Sequence, residues 1–157
     1  MTSLATFSVA LSNEAATAHL MADLALLIGP GDVITLTGDL GAGKTAAARA
    51  LIRYLADDDG IEVPSPTFTL AQTYELPSFP VLHADLYRVS DASELDEIGL
   101  SPLPEATVAL IEWPERAASA LPADGQTVRD TAATRWSRSA RVPAAARALR
   151  PPCAAAG

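Results

Sequence analysis

At 157 residues the chain suits one domain of the usual ~100–200 residues. Its 49% hydrophobic and 19% charged content argues against intrinsic disorder. No apolar run approaches the ~20 residues that span a bilayer, no basic segment precedes an apolar one at the start, and the single cysteine, Cys153, rules out an intrachain disulfide; the expected setting is cytoplasmic, without a membrane partner. The net charge of −8 is uneven: residues 1–120 hold 17 acidic against 5 basic side chains, and residues 121–157 hold 6 arginines against Asp124 and Asp130, so the main body is a poor direct binder of DNA or RNA.

In chain order, Thr6–Leu11 alternates partly and predicts a short strand. Ser12 or Asn13 caps an amphipathic helix through His19, Leu20, Leu24 and Leu27, which recur at helical spacing. After the turn Gly29-Pro30-Gly31-Asp32, the β-branched run Val33–Thr37 predicts a buried strand. It feeds the segment Gly38-Asp39-Leu40-Gly41-Ala42-Gly43-Lys44-Thr45, and a helix follows with Ala48, Leu51, Ile52 and Leu55 on one face, ending at Asp57-Asp58-Asp59-Gly60. Pro64 and Pro66 make the next stretch a loop, since proline suits neither a helix interior nor a central strand. Strands are expected over Phe68–Tyr74, Pro80–Asp85 and Thr107–Ile111. Asp91 and Glu94 form a capping-box pattern opening a short helix that stops at Gly99, and another short helix is expected over Pro114–Ala120. Strands alternating with helices in this way point to an α/β sheet with helices on its faces.

Gly38-x4-Gly43-Lys44-Thr45 is the full Walker A pattern. Glycines at these places let backbone N–H groups converge on phosphate oxygens without Cβ clashes, and the helix that follows presents its positive end to the same anion. Lys44 is the only lysine in the chain; it stands where a compact ammonium on a flexible stem must reach the β- and γ-phosphates, and Thr45 supplies a hydroxyl for Mg²⁺. Such a site also needs a carboxylate near the metal, usually at a strand end. Asp85 and Glu112 both qualify, each able to serve the metal or orient a water, or else to be an ordinary strand-end charge. Thr67, in the proline-stiffened loop, either contacts the metal or the γ-phosphate, or makes a plain turn. His83 reads as a packed core histidine, Trp113 as a base-stacking or a core residue, and Arg88 as a phosphate contact or a surface ion pair.

These elements together resemble the TsaE (YjeE) family. The resemblance is carried by Gly38–Thr45, Ser65-Pro66-Thr67-Phe68, His83-Ala84-Asp85-Leu86-Tyr87-Arg88, Glu97-Ile98-Gly99-Leu100 and Ile111-Glu112-Trp113-Pro114-Glu115-Arg116, in the family's order over about residues 5–120. Walker A alone is widespread; the His-x-Asp-x-Tyr-Arg and Glu-Trp segments make the likeness specific. It implies a P-loop NTPase-like three-layer sandwich, a central mostly parallel sheet flanked by helices. It implies Mg²⁺-dependent ATP hydrolysis in support of threonylcarbamoylation of adenosine 37 in tRNA, with TsaB and TsaD proteins as partners and tRNA met only through their complex. On this likeness the loop residues Gly38, Asp39, Leu40, Gly41, Ala42 and Gly43 bind nucleotide with Lys44, Thr45, Thr67 and Trp113. Thr45 and Glu112 hold the metal, and Lys44, Asp85 and Glu112 serve the chemistry.

From about residue 126 the chain departs from the family pattern. Residues 126–157 read as an Ala/Arg/Pro-rich tail, a composition compatible with disorder, so the P-loop domain is expected to end near residue 125. A sheet ending there lacks a terminal strand and exposes an edge. Two other readings of the motifs stay open: a small P-loop kinase, for which Arg49, Arg53, Arg88 and Arg116 make a thin set of lid cations, and a nucleotide-gated interaction module with dispensable hydrolysis. A guanine-reading Asn-Lys-x-Asp segment is excluded because Lys44 is the sole lysine.

Overall fold

A computed structural model describes residues 5–119, 121, 126–131 and 135–140. Its seven strands form one sheet in the order β1-β7-β6-β2-β5-β4-β3. The strands are β1 (Ala5–Ala10), β2 (Val33–Thr37), β3 (Ala71–Tyr74), β4 (Val81–Asp85), β5 (Val108–Glu112), β6 (Gln126–Thr131) and β7 (Arg135–Ala140). The four central strands, β6, β2, β5 and β4, run parallel, while β3, β7 and β1 add antiparallel pairings at the two sides.

Alternation along the parallel strands sorts their side chains into two cores. Ile34, Leu36, Val81, Val108 and Leu110 pack with helices α1 (Glu14–Ala25) and α2 (Lys44–Ala56) through Met21, Leu24, Ala47, Ala48, Leu51 and Ile52. Val33, Leu82, Ala84, Ala109 and Ile111 face the other way, against Leu95 of α3 (Ser93–Glu97), Ala117 of the 3₁₀ turn Pro114–Ala117, and Leu86, Val89 and Leu100. This is the three-layer α/β arrangement expected, and strands buried on both faces explain the continuous apolar runs. Period-two alternation has a further consequence: His83 and Asp85 of β4 and Glu112 of β5 fall on the face of the sheet that carries α1 and α2.

Asn13 is the cap of α1. Its backbone is extended and its side-chain oxygen accepts the N–H of Ala16 at 2.9 Å. Asn13→Ala leaves that donor without a protein acceptor and is expected to lower stability by about 1 kcal/mol, read as a fall in Tm of about 2–4 °C by thermal unfolding. The capping box expected at Asp91 and Glu94 forms only in part: α3 is capped by Ala92 without a side-chain bond, while Glu94 Oε1 accepts the N–H groups of Ser90 and Asp91 at 3.0 Å, and Asp91 Oδ1 accepts that of Ser93 at 2.9 Å. The hydrogen bonds from Ser93 hold the Asp91 carboxyl below the usual carboxylate range.

Three expectations change. The strand expected over Phe68–Tyr74 begins only at Ala71, because the chain turns through Thr67–Leu70 and Leu70 takes a left-handed φ of 61°, leaving Phe68 84% exposed. The helix expected over Pro114–Ala120 is a single 3₁₀ turn ending at Ala117. Two strands lie inside the stretch set apart as a tail: β6 pairs in parallel with β2 from Ile34–Gln126 to Thr37–Arg129, and β7 bridges β6 and β1. Strand pairing is made by backbone groups and does not require aliphatic alternation in the sequence. Residues 141–157, Cys153 among them, lie outside the described residues.

Candidate nucleotide site

The site is built at the C-terminal ends of the parallel strands, where ligands bind in open α/β sheets. β2 ends at Thr37, and the chain turns through Gly38–Gly43 into α2. Gly41 and Gly43 have φ values of 79° and 105°, backbone that only glycine adopts without strain, and Gly43 is the residue that caps α2. The first N–H groups of a helix have no intrahelical acceptor, so the first turn of α2 offers donors to an anion.

A cleft of about 350 Å³ opens over this turn. Leu40, Gly41, Gly43, Lys44, Thr45, Ser65, Thr67, Asp85, Tyr87, Arg88, Glu112 and Trp113 line it. Nearly all the residues expected at the site are therefore gathered together. Gly38, Asp39 and Ala42 do not line the cleft; the carbonyls of Gly38 and Asp39 each accept a 2.8 Å bond from Lys44 Nζ, and Ala42 closes the turn by donating to Asp39 O at 3.0 Å. Lys44 is buried, its ammonium 4.0 Å from the centre of the Trp113 ring, and it makes no salt bridge with the described residues. An ammonium has three donors, and two are spent on carbonyls.

Thr45 Oγ1 lies 3.0 Å from both carboxylate oxygens of Glu112, which is only 2% exposed. A hydroxyl and a carboxylate side by side are hard oxygen donors of the kind Mg²⁺ takes, with phosphate oxygens and waters filling its remaining positions. Among the described residues there is no cluster of three or more His, Cys, Asp or Glu that could hold a metal ion. The donor set fits a nucleotide-borne Mg²⁺.

Asp85, next to Glu112 in the β4–β5 register, makes different contacts. Its Oδ2 lies 3.3 Å from the hydroxyl oxygens of both Ser65 and Thr67 and accepts from whichever of the two is not donating to the other, its Oδ1 accepts the N–H of Tyr87 at 2.9 Å, and its own N–H donates to Leu70 O at 2.9 Å. Ser65 and Thr67 bond each other at 2.8 Å. Asp85 thus fastens the Pro64–Thr67 loop to the end of β4. Ser65 had no assigned role in the sequence; its signal was a second hydroxyl two residues from Thr67 in a proline-stiffened loop.

The rim is aromatic and cationic. Trp113 takes a left-handed φ of 57° and lies 4.9 Å from Tyr87, ring centre to ring centre. Arg116 lies over Tyr87 at 4.9 Å and Arg88 over Phe68 at 4.8 Å. Trp113 is therefore a half-buried wall of the cleft, and Arg88 is an exposed lining cation stacked on a ring. His83 is not a passive core residue: its Nε2 meets Glu112 Oε1 at 2.8 Å.

The sequence model of the family described as "Threonylcarbamoyl adenosine biosynthesis protein TsaE" matches residues 11–140. The chain belongs to the TsaE family. It is 38% identical over 105 residues to the tRNA threonylcarbamoyladenosine biosynthesis protein TsaE of Rickettsia bellii, a match covering 67% of this chain and 72% of that protein. To the TsaE of Rickettsia felis it is 40% identical over 105 residues, covering 67% of this chain and 61% of that longer protein. Among solved structures it is similar to the crystal structure of Bacillus subtilis YdiB, with a TM-score of 0.71 and 27% identity over 88% of this chain and 87% of that one. The family match runs through β6 and β7 and takes in part of the stretch that the sequence sets apart. No helix among the described residues is long and apolar enough to cross a membrane.

Proposed function

We propose that this TsaE-family chain is a Mg²⁺-dependent ATPase. Its binding and hydrolysis of ATP drive turnover of a TsaB–TsaD complex during threonylcarbamoylation of adenosine 37 in tRNA. The observation that carries the ATPase reading is the pairing of the Walker A hydroxyl of Thr45 with the buried carboxylate of Glu112, 3.0 Å apart, beside the buried ammonium of Lys44.

On this reading the glycine turn and the first turn of α2 bind the phosphates through backbone N–H groups, and Lys44 neutralises the β- and γ-oxygens. Thr45 and Glu112 would hold Mg²⁺, which when bound would supply positive charge to the phosphate oxygens. Thr67, kept at the cleft by Asp85, reports whether a γ-phosphate is present. Trp113 walls the cleft against water and keeps Lys44 in place. The acidic body favours a protein complex over direct RNA contact as its partner.

The test is ATP hydrolysis by the purified chain, alone and with TsaB and TsaD, against a Lys44→Ala control. Slow turnover that rises with the partners and vanishes in the control is expected. Absence of hydrolysis in both conditions from folded protein would overturn the ATPase reading, and phosphate transfer to an acceptor other than water would replace it with a kinase. The loop contacts give a separate prediction. Asp85→Asn weakens the bond to the Ser65–Thr67 hydroxyl pair, and is expected to lower kcat about tenfold while changing ADP affinity much less, since a charge-assisted bond of this kind contributes roughly 1.5–3 kcal/mol. Parallel steady-state kinetics and ADP titrations check it.

A further inference from the structure

His83 is fully buried in β4, among Val81, Leu82 and Ala84, and stands opposite Leu110 of β5 and Gln72 of β3. One ring nitrogen, Nε2, is 2.8 Å from Glu112 Oε1; the other, Nδ1, is buried without a hydrogen-bond partner among the described residues. As a core residue this is a poor choice, because it buries a polar atom unsatisfied where a leucine would bury none. The bond to Glu112 is what the imidazole supplies and an aliphatic side chain does not.

Glu112 needs such a partner. Its side chain turns about three torsions, and Thr45, 3.0 Å from both oxygens, meets them symmetrically and so does little to fix the rotation of the carboxylate about its own axis. A second donor on Oε1 alone breaks that symmetry. Carboxylates that hold metals are characteristically oriented by hydrogen bonds of this kind. We propose that His83 is a positioning residue: it donates its Nε2–H to Oε1 of Glu112 and sets the orientation in which that carboxylate, together with Thr45, takes Mg²⁺. The tautomer follows from the pairing, since a carboxylate accepts and the ring nitrogen facing it must donate. The inference rests on the reading of Glu112 as the metal-site carboxylate.

The experiment compares wild type, His83→Leu, His83→Gln and His83→Asn in two measurements: kcat against Mg²⁺ concentration, and ADP affinity with Mg²⁺ and with EDTA. A glutamine amide reaches the place of Nε2; an asparagine amide ends near Nδ1. His83→Leu and His83→Asn are expected to lose about 10–100-fold in kcat or in Mg²⁺ half-saturation, with ADP affinity in EDTA unchanged. His83→Gln is expected to recover most of that loss. Wild-type kcat and Mg²⁺ dependence in folded His83→Leu would overturn the proposal, as would equal losses in the Gln and Asn variants at equal Tm. If His83→Leu does not fold, the Gln–Asn contrast decides. If wild type itself fails to hydrolyse ATP, the proposed function falls separately, and the Mg²⁺ dependence of ADP binding still reads the positioning.

Discussion

Lys44→Ala is expected to reduce ATP hydrolysis by roughly 10²–10³-fold, or about 2.7–4 kcal/mol of transition-state stabilisation, with a large accompanying loss of nucleotide affinity. The size follows from where the ammonium sits. It is 5% exposed, held by two carbonyls and the face of Trp113, and makes no salt bridge with the described residues. A buried cation interacts with phosphate more strongly than one in water, and no carboxylate of the described residues pairs with it. The fold should tolerate the change, because alanine favours the helix that Lys44 opens and the loss removes a buried charge. The check is a fluorescence or calorimetric titration with ADP alongside steady-state kinetics. A variant that keeps full affinity and turnover would show that this lysine has no part in binding phosphate.

Glu112→Gln is expected to separate binding from turnover. It should lower kcat by about 10²-fold or more while leaving ADP affinity in EDTA close to wild type. The substitution is nearly isosteric, and the amide oxygen still accepts from His83 Nε2 at the position of Oε1. What is lost is the negative charge beside Thr45, and with it most of the attraction for Mg²⁺. A Mg²⁺ titration of kcat should therefore move to much higher concentration in this variant. If kcat and its Mg²⁺ dependence are unchanged, the metal is held elsewhere, and Asp85 becomes the carboxylate to test next. Contrasting Glu112→Gln with Asp85→Asn also divides the two strand-end carboxylates, one paired with the Walker A threonine and the other with the Ser65–Thr67 loop.

Much of this was written locally. Walker A is a contiguous segment, so the glycine turn, the lysine and the start of α2 are legible without any knowledge of distant residues. The cap at Asn13, the Glu94 contact to Asp91 N–H and the buried runs of β2, β4 and β5 are local as well, because propensity, spacing and capping act over a few residues. Where local signals were weak, the boundaries moved. Nothing in Phe68-Thr69-Leu70 marks the turn there, since it is stabilised by Asp85 N–H reaching back to Leu70 O across the β3–β4 pair. β6 and β7 gave no alternation to read, because their places are set by backbone pairing to β2 and β1.

By itself, then, the sequence determined the α/β class, the phosphate loop and the short list of carboxylates able to serve it. Only the tertiary structure decided which side chains those carboxylates meet. Glu112 meets Thr45 across 67 positions of sequence and His83 across 29, contacts that exist because β2, β5 and β4 lie side by side in one register with α2 packed over them. Alternation puts His83, Asp85 and Glu112 on a common face. Strand order then gives Glu112, on the strand beside β2, to the Walker A threonine, and Asp85, on the strand beyond, to the loop. Strand order is a property of long-range pairing, and no spacing along a single chain encodes it directly.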